Sequence, residues 1–319
     1  MVVYLIRRLL MTMVVIILLA SLVASLVHFI PGNPVTIVLG PHANPALVAQ
    51  AQREMHLNDP ILVQIYLFLS NAVRGNLGSD FLNNAPVSQL IMAALPHTVI
   101  LAVAALLLVI LVGVPLSVYG TRRPDSWADR ISAAVSISLI TLPPYVAGLL
   151  LLILFPVTLH ILPAIGAGSF SDPVGYLEHL ILPAIALAVG WIGYIARLLR
   201  ASMLEVLNTS YVRTARSWGV KERIIFYKYV LKNAVIPTIA ILGVGLGQLI
   251  GGAIFVEVIF ARPGLGTLVY DAIQQRNYPV VQAGVLVIGV MFVFANLLAD
   301  LSYRFVDPRV RVELGRLRR

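Results

Sequence analysis

The chain contains no cysteine. Disulfides and thiolate metal sites are excluded, and the compartment has to be read from topology instead. Charge is scarce as well: Asp, Glu, Lys and Arg make up 12% of the 319 residues, against about 25% in soluble domains. Apolar residues make up 59% and the mean hydropathy is +0.92, more apolar surface than a soluble core hides. The chain therefore reads as an all-α integral membrane protein. Its formal charge of +9 is not a nucleic-acid signal, because excess Lys and Arg in such proteins marks cytoplasmic loops. Other absences narrow the function. The six histidines (His28, His42, His56, His97, His160, His179) show no H-E-x-x-H or similar spacing, which argues against a metal site. No nucleophile–base constellation points to catalysis. The run GVGLG (243–247) has no preceding strand and no following Lys-Ser/Thr, so it is not a nucleotide loop. With no Walker A sequence, the chain is not an ATPase.

Long apolar runs are abundant. Crossing the hydrocarbon core takes about 20 mostly apolar residues in a helix. Six segments qualify: Leu9–Ile30, Thr98–Tyr119, Ile131–Val157, Leu180–Leu199, Ala234–Val258 and Gly284–Ser302. The first is too long for a signal h-region, which has about 7–15 residues, and no A-x-A site follows it. Nineteen of the 23 Lys/Arg residues fall on one side of the membrane if the N-terminus is cytoplasmic, and only Arg53, Arg74, Arg262 and Arg276 fall on the other. Both termini are therefore expected inside. The linear organisation is an N-terminal span (1–30), an extracytoplasmic cap (31–95), a six-span core completed by residues 96–303, and a cytoplasmic tail (304–319).

No charged side chain sits in the middle of a span. Ion-coupled carriers usually need intramembrane carboxylates or histidines, so an externally driven transporter is favoured. Pro143-Pro144 is expected to kink the third span and form a hinge or pathway wall. Gly243, Gly247 and Gly251 recur every four residues and suit close helix packing; Gln248 among them lines the pathway or bonds to a neighbouring helix. Glu257 faces the outer mouth or pairs with Arg262. Asn296 reads as helix glue, and Asp300 as a partner for Arg304 at i+4. In the cap, Asn44-Pro45 starts one helix, ILVQIYLFLSNAV (61–73) forms a second, and Gly75 to Gly78 turn the chain. In the last outer loop, Pro263-Gly264 and Gly266 make a turn. A short helix over Thr267–Gln275 follows, well placed to meet a delivered ligand.

The most basic segment lies between Arg197 and Lys232, with eight Lys/Arg residues. Asn208, Thr209 and Ser210 are N-cap formers, and Gly219 suits the left-handed C′ position. Between them Tyr211, Val212, Ala215 and Trp218 share one face of about two helical turns. Arg213 and Arg216 lie on another. The pattern suits a knob docking into a groove of a soluble partner. A basic amphipathic helix lying on anionic membrane lipid accounts for the same pattern.

The run YVRTARSWG, followed by a long basic-apolar helix through LKNAVIP (231–237), resembles the cytoplasmic "EAA" loop of ABC-importer permeases, and most closely the dipeptide/oligopeptide branch. The likeness covers nearly the whole chain. It takes in YLIRRLL, HFIPGNP, REMHLNDPILVQIYLFL, GNLG, LPHTVILA, FVEVIFARPGLGTLVYDAIQQRNYPVVQA and NLLADLSYRFVDPRVR, in that order. The resemblance implies a type I importer permease fold of six spans with a helical outer cap. It implies a second homologous permease subunit, one or two ATPase subunits that hold ATP and Mg, and an extracytoplasmic solute-binding protein. This chain itself would hold no cofactor. The implied ATPase-coupling residues are Tyr211, Val212, Arg213, Thr214, Ala215, Arg216, Trp218 and Gly219. Arg213 and Thr214 stand where the general motif has Glu and Ala, and Trp218 where this branch often has a basic residue. Di- or oligopeptides are the implied cargo, with nickel chelate, glutathione or haem as alternatives for the same machinery. A stand-alone channel is a rival from another class, but no selectivity-filter sequence or charged ring is present.

Overall fold

A computed structural model describes residues 2–25, 59–122 and 126–306. The proposed cap helix at Asn44-Pro45 and the tail beyond residue 306 lie outside the described residues, as do the side chains of the Asp300–Arg304 pair. The described chain is helical: α1 Val2–Ser25, α2 Ile61–Val73, α3 Val87–Thr121, α4 Trp127–Thr141, α5 Pro144–Leu159, α6 Pro173–Leu207, α7 Ser210–Ser217, α8 Glu222–Ile259, α9 Leu265–Gln274 and α10 Tyr278–Val306. One antiparallel bridge, Ser79 to Pro86, is the β pairing among the described residues. Five helices are long and apolar enough to cross a membrane, and the pair α4–α5 makes a sixth crossing if its two halves count as one.

That pair is broken rather than kinked. Its halves meet at 99°. Neither Pro143 nor Pro144 has an N–H to continue the ladder, and each disfavours the helical region for the residue before it. Leu142 and Pro143 are accordingly extended, with ψ of 109° and 144°. Two successive extended residues end one helix outright, and the Ala147 N–H to Pro143 carbonyl bond (3.0 Å) starts the next. Elsewhere the helices outrun their apolar stretches. α3 and α6 have 35 residues each, so each is about 50 Å long against a hydrocarbon core of about 30 Å.

The chain forms two compact units that cut across its linear order: Met1–Thr98 with Ala261–Val293, and Val99–Phe260 with Phe294–Arg319. In the first, Val87, Ile91 and Ala94 pack with Leu265, Ala272, Val280 and Ala283. Polar anchors support this core. Thr98 Oγ1 accepts from the Leu265 N–H at 2.8 Å, and buried Asn277 donates its side-chain amide to buried Asp80. In the second unit α6 is central. Leu182, Ala186, Leu187 and Ile195 on it are almost wholly buried, among Leu101, Leu249, Ala253 and Val256. Gly193 lets α4 approach so closely that a Cβ there would strike the Ser136 carbonyl. At Gly243, a Cβ would strike Ala299 of α10. These contacts match the expected small-residue packing at Gly243, whereas Gly251 has open space where its Cβ would be.

Candidate functional site

α7 closes as expected at Gly219 but starts without a side-chain cap. Thr209 is the extended N-cap residue (ψ 155°), although its hydroxyl donates back to the Val206 carbonyl at 2.6 Å rather than capping. Gly219 sits at φ 73°. The Val220 N–H bonds to the Ala215 carbonyl (3.1 Å) and the Gly219 N–H to the Arg216 carbonyl (2.9 Å), which closes the helix as a Schellman motif. Across that turn Arg216 pairs with Glu222 at 2.8 Å. Both side chains are exposed, so the pair contributes at most about 1 kcal/mol.

The expected apolar stripe divides in two. Val212 and Ala215 are buried, packed in the chain's own cluster with Leu199 and Met203 of α6 and Ile225, Val230 and Ala234 of α8. Tyr211 is 41% exposed and Trp218 81%. The reason is geometric. Val212 and Ala215 are three apart on a regular helix and so point together. Trp218 is the C-cap residue, at φ −84° and ψ 5°, where the chain has already left the helix and turns the ring outward. The exposed residues of α7 and its C-cap are therefore Ser210, Tyr211, Arg213, Thr214, Arg216, Ser217 and Trp218. Asn233 donates to the Tyr211 hydroxyl at 3.3 Å and steadies that ring.

Of the expected pathway residues, Pro143, Pro144 and Gln248 come together. They line one cleft of about 540 Å³ with Gly190, Trp191 and Tyr194. No charged side chain lines it. Trp191 and Tyr194 meet edge to face at 5.6 Å. Glu257, Arg262, Gly264 and Gly266 are elsewhere and buried. Glu257 and Arg262 are 0% exposed, so the expectation that Glu257 faces an open mouth is corrected. The turn at Gly264 is likewise buried, while the loop is exposed at Ala261 and Pro263 before it and at Tyr270, Ile273 and Arg276 after it.

One polar contact escapes any local reading of the sequence. Arg200 of α6 grips Asp129 of α4 with two bonds, Nε to Oδ1 and Nη2 to Oδ2, each 2.6 Å. Arg200 counts in the sequence only as one of the basic loop charges, and its partner is 71 residues away. The single hint is that Asp129 is the acidic residue in the first turn of α4.

Residues 110–312 match the family described as binding-protein-dependent transport system inner membrane components, and residues 1–102 match the N-terminal part of such components. The chain belongs to this family. The permease is 35% identical to a dipeptide transport system permease protein of Alkalihalophilus pseudofirmus, over 97% of this chain and 99% of that one. It is 36% identical to a probable peptide ABC transporter permease protein of Sinorhizobium fredii, again over 97% and 99%. A glutathione transport system permease protein of Escherichia coli is 34% identical over 97% and 98%. Among solved structures, the methionine ABC transporter MetNI in an inward-facing conformation aligns with a TM-score of 0.57 at 19% identity, covering 69% of this chain and 97% of that one. An amino acid ABC transporter aligns at 0.54 and 16% identity, covering 68% and 94%. The fold is the all-helical type I permease fold implied by the motifs.

Proposed function

We propose that this permease is the membrane subunit of an ATP-driven importer for di- or oligopeptides, coupled to ATPase subunits through α7. The observation that carries the reading is the division of α7 into two faces. Its aliphatic residues are turned into the chain's own core, while the 81% exposed Trp218 and the exposed Tyr211 and Arg213 are left on the outside. A helix lying on lipid needs a continuous apolar face toward the membrane, and here Val212 and Ala215 are not available for one. An exposed aromatic pair with an arginine suits a protein groove, where such residues dominate binding. ATP and Mg act on the partner subunits. A solute-binding protein delivers cargo from outside, and a second permease completes the pathway. The nineteen-to-four charge bias supports an inside position for α7 and both termini in the plasma membrane.

The peptide cargo rests on the relatives named for peptide transport and on the cleft. Its mainly aliphatic lining, with Trp191, Tyr194, Thr141 and Gln248, has no charge to reject a cargo of either sign, which leaves selection to the binding protein. Replacing Trp218 and Arg213 together by Glu tests the coupling reading. Co-purification of the ATPase subunits and peptide uptake are expected to fall together; undiminished association would sink it. Competition of labelled dipeptide uptake by glutathione separates the two cargo classes named among the relatives.

A further inference from the structure

The Asp129–Arg200 pair belongs to neither the α7 surface nor the cleft, yet it lies between them. Asp129 is near the start of α4, three residues after its N-cap Ser126, and its side chain is 5% exposed; that of Arg200 is 28% exposed. Arg200 sits in the last turns of α6, beside Leu199 and one turn before Met203. Val212 and Ala215 of α7 share one buried cluster with these two residues and with Ile225 and Val230 of α8, which packs against both α6 and α7. The turn of α6 that shares this buried cluster with α7 is thus the turn that holds Asp129. From Asp129, α4 runs to Thr141, and the break that follows it forms one wall of the cleft. Along the way the two helices touch at backbone level, at Gly193 against the Ser136 carbonyl and at Gly190 against the Leu139 and Leu142 carbonyls (3.7 and 3.8 Å from a Cβ position).

Packed helices slide past one another by small shear motions. Apolar contact alone permits such slip. A two-bond guanidinium–carboxylate grip fixes orientation as well as distance and resists it. We propose that Asp129 and Arg200 are positioning residues, a strut that makes α4 follow α7 so that movement at the ATPase contact reaches the wall of the cleft. The proposal rests on α7 being the coupling helix.

The test uses the whole importer reconstituted in vesicles, with ATP hydrolysis and peptide uptake measured on the same sample. In Asp129→Asn the ATPase subunits stay bound and hydrolysis persists, while peptide carried per ATP falls at least about fivefold, the lower end of typical coupling between sites. Arg200→Lys keeps the charge but not the fork and falls between wild type and Asp129→Asn. A role in folding alone lowers assembly, hydrolysis and uptake together and leaves peptide per ATP unchanged; that result overturns the strut. If Asp129→Asn does not assemble, an unchanged ratio in Arg200→Lys overturns it equally. Failure of the coupling reading shows up differently, as retention of the ATPase subunits by the Trp218 and Arg213 double variant.

Discussion

Two residues show how a single backbone position carries a testable cost. α7 and α9 end in the same motif, with Gly219 at φ 73° in one and Arg276 at φ 55° in the other. The Asn277 N–H bonds to the Ala272 carbonyl and the Arg276 N–H to the Ile273 carbonyl, reproducing the Schellman pattern with a side chain in the left-handed position. Such a residue pays roughly 1–2 kcal/mol. Nothing lies within 4 Å of a Cβ placed on Gly219, so Gly219→Ala measures the backbone term with no steric contribution. It is expected to destabilise the purified permease by about 1 kcal/mol, and Arg276→Gly to stabilise it by a similar amount. Unfolding midpoints of the two variants in detergent check both signs. The left-handed turn at Gly219 was legible because glycine is its usual occupant. The one at Arg276 was not, because arginine carries no such signal; the residue after it, Asn277, is tied to Asp80, 197 residues away in sequence.

At the scale of elements, the break between α4 and α5 shows where a sequence reading falls short. One proline inside a helix kinks it; two in succession leave two residues extended and turn the chain by 99°. Replacing both Pro143 and Pro144 by Ala removes the obstacle to a continuous helix. We expect the amount of assembled importer to hold and peptide uptake to fall, because the cleft loses the wall that the break provides. Uptake at the wild-type rate in the assembled variant would show that the break plays no part in transport. The boundaries of α6 carry a second lesson. Hydropathy ends near Leu199, but backbone hydrogen bonding does not depend on hydropathy, and the helix continues to Leu207. Those extra turns carry Arg200 and Met203, the latter in the buried cluster that includes Val212 and Ala215 of α7.

For the molecule as a whole, orientation is the property most exposed to experiment. The absence of cysteine leaves any introduced thiol as the sole one. Trp218→Cys and Tyr270→Cys each place a thiol at an exposed position, one on the proposed inner side and one on the outer. A membrane-impermeant maleimide added to intact cells is expected to label the second and not the first; the reverse pattern would invert the topology. Composition, the helical class, five of the six expected spans and the position of α7 along the chain were legible, since they follow from solvation and local periodicity, which depend on residue type and near neighbours. Tertiary structure alone decided that Val212 and Ala215 face inward while Trp218 faces out, that Glu257 is buried, and that Arg200 finds Asp129. Each of those outcomes depends on which distant segment covers a given side chain. A pairing across 71 residues leaves no mark in the spacing of either partner's neighbours.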